Sequence, residues 1–399
     1  MLEPLGQSQV IAYLEKLRPE YRIFIVSFEK PADLANAARL ASVKARLAAA
    51  GIGWTPLRYH KTPSAPATAF DICVGAIVAL WIALRQRISI VHTRSYPPAL
   101  MAMPVKFLTR AKFLFDMRGF WADERVDGGL WPRDGAIYRV TKALERLFLK
   151  SADHVVTLTR ASAREIESFP YLAKRMPPLS VITTCADLDR FSPPPGRASP
   201  DPFVFGYVGS LGTWYMLDEI LACFKLVRAR LPDARFLAVN RNEHEMLRAA
   251  AAKAGIEPDC MEIVAADHGD VPRHIARMSV GAAIIKPVYS KISSAPTKLA
   301  EYLGCGLPCL GNAGVGDMAE IIEDNKVGVA LTDFSDADRT AAVDRLLALA
   351  ADPATPARCV DAARRLFSLD DGVASYRAIY RGLTAPEAVA ANAPRDASA

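Results

Sequence analysis

The chain has 399 residues, 51% of them hydrophobic and 23% charged, which excludes a disordered or low-complexity polymer and, at about 150 residues per domain, exceeds what a single core organises. Its seven cysteines are scattered with no Cys-x-x-Cys pair, so neither a zinc cluster nor a disulfide framework is indicated, and a reduced, cytosolic setting is expected. The net charge of +6 sums two unlike halves: residues 1–199 hold 28 Lys and Arg against 17 Asp and Glu (+11), and residues 200–399 hold 21 against 26 (−5). The basic half suits an anionic partner such as a membrane surface or a phosphate-bearing acceptor, whereas its dispersed cations, without a finger or helix-turn-helix signature, argue against nucleic acid.

The first segment, Leu2-Glu3-Pro4-Leu5-Gly6-Gln7-Ser8-Gln9, runs straight into residues of helix period near 11–17. An α/β sheet of the kind that follows would open with a strand, and omitting an inner strand leaves backbone groups without partners. The expectation is therefore that Met1 is an internal methionine of a longer chain. Apolar runs at 22–28, 88–92, 112–115, 154–158 and 180–182 alternate with helix-period segments, the pattern of parallel βαβ units. Between the first two lies an apolar run at 72–84 containing Trp81 and followed by Arg85 and Arg87. It is shorter than the span of about 20 residues a membrane requires, which leaves a packed helix, or one dipping into a membrane interface with its arginines at lipid phosphates. His92, Arg94 and Tyr96 end the next strand. On the same rim, Asp116-Met117-Arg118-Gly119-Phe120-Trp121-Ala122-Asp123-Glu124-Arg125 sets charge beside aromatics. Arg118 is a candidate for holding a phosphate or an acceptor oxygen, and Asp123 or Glu124 for orienting an acceptor hydroxyl; a structural ion-pair cluster is the alternative.

A break at Ser192, Pro193, Pro194, Pro195 and Gly196 marks a linker, after which strand-like runs resume at 204–208, 235–239, 261–264, 281–285 and 308–310. The expected fold class is α/β, with two doubly wound Rossmann-like domains facing a cleft: 1–195, whose first strand is missing, and 200–365. A helix at 366–383 crosses back to the first domain, and a disordered tail occupies 384–399. Ligands bind outside the carboxyl ends of strands in such sheets. There, Gly209, Ser210, Leu211 and Gly212 form a turn whose amides can approach phosphates, although a tight turn needs glycine on steric grounds alone. Further on, the block Ser293 to Pro308 predicts a helix over 296–303, with Ser294 capping it, Pro296 in its first turn and Gly304 and Gly306 ending it. One face carries Thr297, Lys298 and Glu301. A diphosphate would sit at the positive end of this helix, with Lys298 adding charge and Glu301 accepting from ribose hydroxyls; a surface helix with one Lys–Glu pair is the alternative.

Four of these features together resemble glycosyltransferase family 4 of the GT-B fold: Pro4-Leu5-Gly6-Gln7-Ser8-Gln9, Ala186-Asp187-Leu188-Asp189-Arg190-Phe191-Ser192-Pro193, the Gly209–Gly212 loop, and the Ser293 to Pro308 block. The resemblance covers nearly the whole chain. It implies retaining transfer of a sugar from a nucleotide-diphosphate sugar to a lipid-linked or cell-surface polysaccharide acceptor, with no metal or other cofactor, in the cytoplasm or on the inner face of an anionic membrane. It further implies donor binding by Gly6, Gly209, Ser210, Leu211, Gly212, Ser293, Ser294, Thr297, Lys298 and Glu301, and catalytic roles for Arg118, Asp123 and Lys298. The family's last block usually has two acids separated by seven residues. Glu301 matches the second, and Ser293 stands where the first usually touches the transferred sugar. Thr213, Trp214 and Tyr215 replace the usual basic pair, which leaves the phosphates to Lys298, Lys286 or Lys291 and helix amides, and Arg118 replaces a frequent histidine. Two other readings use the same fold: a non-catalytic nucleotide-binding subunit and a nucleotide-sugar epimerase.

Overall fold

The computed structural model describes residues 1–196, 200–267 and 269–385, so the expected disordered tail lies outside the described residues from 386 onward. The N-terminal half carries six short strands: β1 (Phe24–Glu29), β2 (Gly53–Arg58), β3 (Ile90–Arg94), β4 (Lys112–Asp116), β5 (His154–Thr157) and β6 (Leu179–Val181). They form two parallel sheets, β2-β1 and β3-β4-β5-β6, and among the described residues no strand joins β1 to β3. The parallel strands of this half thus stand as two parts, of two and four strands. Burial follows from it: Phe113, Leu114, Phe115 and Asp116 on the inner strand β4 are wholly buried, whereas β1 and β3, which border the gap, are mostly half-buried. The start of the chain is fixed at the carboxyl end of β1, where Glu29 takes the Met1 ammonium at 2.6 Å and the Leu2 amide at 3.0 Å.

Strand β2 escapes the sequence reading because it contains Pro56, which normally argues against a strand. Here β2 lies at a sheet edge, where the lost amide needs no partner. The apolar run at 72–84 likewise belongs to a longer helix, Ser64–Gln86. Asp71 extends it without solvent exposure, since its carboxylate accepts the His60 amide at 2.8 Å and meets the His60 ring at 2.6 Å. From Pro66 to Gln86 this helix is long and apolar enough to cross a membrane by length and composition, with mean hydropathy 2.1 and only 22% of its apolar window buried.

The C-terminal half holds β7 (Val204–Val208), β8 (Arg235–Val239), β9 (Met261–Val264), β10 (Val280–Ala282), β11 (Cys309–Asn312) and β12 (Gly328–Leu331) in one parallel sheet of order β12-β11-β10-β7-β8-β9. One face buries Phe205, Tyr207, Phe224 and Phe236; the other buries Met278, Tyr302 and Leu303. Gly281 is required by this packing, because a Cβ there would stand 2.5 Å from the Tyr302 ring. The helix Leu369–Thr384 then returns to the first half and buries Val373, Tyr376 and Tyr380 against Tyr13, Leu17, Leu114 and Val156. The two crossings of the chain run side by side: the Ala186 amide donates to the Phe367 carbonyl at 2.9 Å.

Candidate active site

In the six-stranded sheet the connections leave β7 and β10 in opposite directions, so a crevice opens outside their carboxyl ends. The Gly209–Gly212 turn follows β7, and the helix Thr297–Gly304 follows β10 by way of the short 3-10 turn Tyr289–Ser293. Gly209 needs its glycine, having φ +114°. Its carbonyl accepts from the Asn240 side chain at 2.9 Å, and the Leu211 amide donates to Glu243 at 2.8 Å. The turn is thus held from beneath, and one of its amides is already engaged.

Lys298 is 6% exposed and, among the described residues, its ammonium has no hydrogen-bond partner. The Nζ lies 3.6 Å from the ring centre of Tyr215 and 4.2 Å from that of Tyr207, and 3.4 Å from where a Cβ on Gly209 would stand. Burial pushes its pKa down to about 7, against the attraction of Glu301. Glu301 is equally enclosed; burial pushes its carboxyl up to about 7, opposed by Lys298 and Arg190. The helix is buried from Lys298 to Gly304, which removes the alternative of a surface helix. Glu301 and Thr297 line a cavity of about 110 Å³ whose other walls include Gln7, Gln9, Arg46 and Arg190. Arg46 is held there by Glu15 at 2.7 Å, so the Glu301 carboxyl and the Arg190 guanidinium face the cavity as acceptor and cation, a pairing that suits a ligand with hydroxyls and negative charge.

The opposite wall is organised by Asp116, at the end of β4. Tyr376 donates to it at 2.9 Å, Arg94 Nε lies 3.2 Å away, His92 Nε2 3.8 Å and Arg118 4.0 Å. Burial alone would raise the Asp116 pKa, but Arg118, His92 and Arg94 outweigh it and hold the carboxyl at about 2. Arg118 reaches this cluster from a left-handed backbone, φ +58°. Gly6 sits in a short helical turn against the Met1 backbone and lines a separate cavity with Glu29 and Lys30.

Three sequence expectations are corrected by the geometry. Asp123 is 2% exposed, and its two oxygens are taken by Tyr138 at 2.8 Å and Lys142 at 3.0 Å; with Lys142 also on Glu145 at 2.6 Å, it is a structural anion facing away from the crevice. Ser294 caps nothing: the helix begins after Pro296 without a side-chain cap, and the Ser294 amide donates to Lys291. Ser293 is sewn into the contact between the halves, accepting the Phe120 amide at 3.2 Å and donating to the Ser290 carbonyl at 2.8 Å. That contact also consumes Lys291, which bonds Glu124 at 2.8 Å over the face of Trp214. In the same strap, Ser290 donates to Asp127, Tyr289 donates to Glu165, and Asp317 accepts the amides of Arg160 and Ala161. The aromatics that replace a basic pair in the sequence therefore hold two lysines against their π faces. Arg190 and Gln9 were missed as wall residues; both lie inside the motifs quoted above, which was the available signal.

Two family models meet this geometry. Residues 9–180 match the glycosyl transferase 4-like domain and residues 190–366 match glycosyl transferases group 1. The chain belongs to the group 1 glycosyltransferases of the GT-B fold. Solved structures share the architecture at low identity. The sucrose-phosphate synthase of Thermosynechococcus elongatus superposes with TM-score 0.67 at 15% identity, over 91% of this chain and 99% of that one. A glycosyltransferase of Rickettsia africae gives 0.68 at 15% identity over 94% and 93%. Anabaena HepE, solved with UDP and glucose, gives 0.63 at 13% identity over 93% and 95%. No curated protein sequence matches. In this transferase the boundary between the two matched segments falls at the crossing strands near Ala186, beside the cavity that Glu301 lines.

Proposed function

We propose that this glycosyltransferase moves a sugar, with retention of configuration, from a nucleotide-diphosphate sugar to a lipid-linked or cell-surface polysaccharide acceptor at an anionic membrane. The observation that carries the donor assignment is the buried, unpartnered ammonium of Lys298 beside the Gly209 turn. An isolated buried charge is costly unless a counter-charge completes it, and a diphosphate is such a counter-charge. In this reading Glu301 and Thr297 take the ribose hydroxyls, and the diphosphate lies between Lys298, the Gly209 turn and the start of the Thr297–Gly304 helix. Arg118 and Arg190 approach from the rim. The bond between the anomeric carbon and the leaving phosphate oxygen breaks first. The negative charge that develops on the diphosphate is stabilised by Lys298 and the helix amides. The acceptor oxygen then adds from the same face, and its proton passes to the departing phosphate. The complex of HepE with UDP-glucose supports a nucleotide-sugar donor by likeness of fold.

Melting shifts with UDP, GDP, ADP, CMP and dTDP test this. A ligand at about a hundred times its Kd stabilises by roughly 2.7 kcal/mol. One nucleotide is expected to give such a shift in the parent and not in Glu301→Ala. No shift with any nucleotide, or an undiminished shift in the variant, refutes the donor assignment.

A further inference from the structure

The Ser64–Gln86 helix is a 23-residue element about 34 Å long, and its two sides are unlike. One side is bolted to the domain: Gly75 meets Met101 and Phe28, Ile82 and Ala83 are buried, and Asp71 holds His60. The other presents Phe70, Ile77, Trp81 and Leu84, exposed by 56, 69, 60 and 60%. At 3.6 residues per turn these four fall within about 60° of one another around the axis. Ala83 packs with Val105 and Ala111, which brings the last turn of this helix beside that of Tyr96–Leu108, where Phe107 and Leu108 are exposed by 62 and 68%. The apolar strip therefore continues onto a second helix, a larger patch than scattered surface residues produce.

Charge selects what covers it. Between Arg58 and Lys112 the chain has eight Lys and Arg and a single acid, Asp71, which is buried. Arg58 and Lys61 precede the helix; Arg85, Arg87, Arg110 and Lys112 cluster near its far end, with Arg85 lying over the Trp81 ring at 5.7 Å. An apolar strip with tryptophan, framed by Arg58, Lys61, Arg85, Arg87 and Arg110, matches an interface of acyl chains beneath anionic headgroups. A second copy of this chain would bring a second set of the same cations.

We propose that the outer face of Ser64–Gln86, with Phe107 and Leu108, docks in the plane of an anionic lipid surface. The helix lies along the surface and does not cross it, because crossing would detach Gly75, Asp71 and Ala83 from their partners. The inference deepens the reading of a membrane-borne acceptor by naming the face that meets the membrane, and its test does not involve the nucleotide. The full chain is sedimented with vesicles of phosphatidylcholine alone and of phosphatidylcholine mixed with phosphatidylglycerol, beside Trp81→Ser/Leu84→Ser and, as a charge variant that leaves the strip intact, Arg85→Glu/Arg110→Glu. The parent is expected to bind the mixed vesicles and to be released by salt. Each double variant is expected to bind about tenfold or more weakly while its melting temperature stays near that of the parent. If the apolar variant misfolds, the charge variant decides. Equal binding to neutral vesicles, or undiminished binding by the folded variants, overturns the proposal. So does a parent that is dimeric without vesicles and made monomeric by Trp81→Ser/Leu84→Ser, which would assign the strip to a second copy. A nucleotide melting shift in the vesicle-defective variant would separate failure at the membrane from failure at the donor site.

Discussion

Replacing Lys298 by Met separates the cost of a buried charge from its use. Burial lowers the lysine pKa from 10.5 to about 7, which at 1.36 kcal/mol per unit amounts to about 5 kcal/mol of penalty on the protonated form. Two aromatic faces at 3.6 and 4.2 Å return a small part of it to the protonated form. Methionine of similar volume removes both contributions, so the ligand-free variant is expected to be as stable as the parent or up to about 1–2 kcal/mol more stable at neutral pH. The pH dependence has a definite sign. From about 7 to 10.5 the unfolded chain keeps the Lys298 proton and the native chain has lost it, so the parent gains stability with rising pH and Lys298→Met does not. Diphosphate binding reverses the shift by supplying the missing counter-charge. Above about pH 7, the nucleotide of the proposed donor must therefore bring a proton with it, and its affinity falls toward tenfold per pH unit. Calorimetry in buffers of different ionisation enthalpy reads that uptake directly. Affinity that is flat between about pH 7 and 9 with no proton taken up, or a Lys298→Met chain that binds the nucleotide like the parent, would refute the reasoning.

Asp116→Asn leaves Arg94, Arg118 and His92 around a neutral group and should cost about 3–5 kcal/mol in urea unfolding. In the parent this carboxyl sits at about 2 instead of 3.8, so its contribution is complete above the unfolded value and is lost as pH falls from about 3.8 toward 2, a slope the variant should lack. Asp123→Asn tests the corrected assignment: stability drops by about 1–3 kcal/mol through the Tyr138 and Lys142 contacts, while kcat and donor KM of the folded enzyme stay unchanged. A fall in kcat without loss of stability would restore Asp123 to the active site.

The strands read most easily from sequence were those whose own residues carry the signal, such as β7 and β8, with continuous apolar runs inside a complete sheet. Strand β2 was hidden by Pro56, whose acceptability depends on a sheet position that no local window contains. Helix Ser64–Gln86 was shortened because Asp71 interrupts the apolar run, and only the fold supplies His60 to neutralise that interruption. At the site, helical spacing was enough to pair Lys298 with Glu301. It could not show that the lysine turns toward Tyr207 and Tyr215, since those rings arrive from β7 and the segment beyond it, about ninety residues earlier in the chain. Asp123 looked available because charge beside aromatics reads alike whether it faces a cleft or the Ala136–Ser151 helix.

The returning helix gives the transferase an order of assembly. Tyr376, which closes over Asp116, is separated from it by 260 residues, and at roughly 5–20 residues per second the ribosome needs about 10–50 s to bring one to the other. Until then the N-terminal half must hold an acid and two arginines at the end of β4 without their cover. Its core is finished only when the last described helix is made, so a chain cut after the second sheet would lose the integrity of the first.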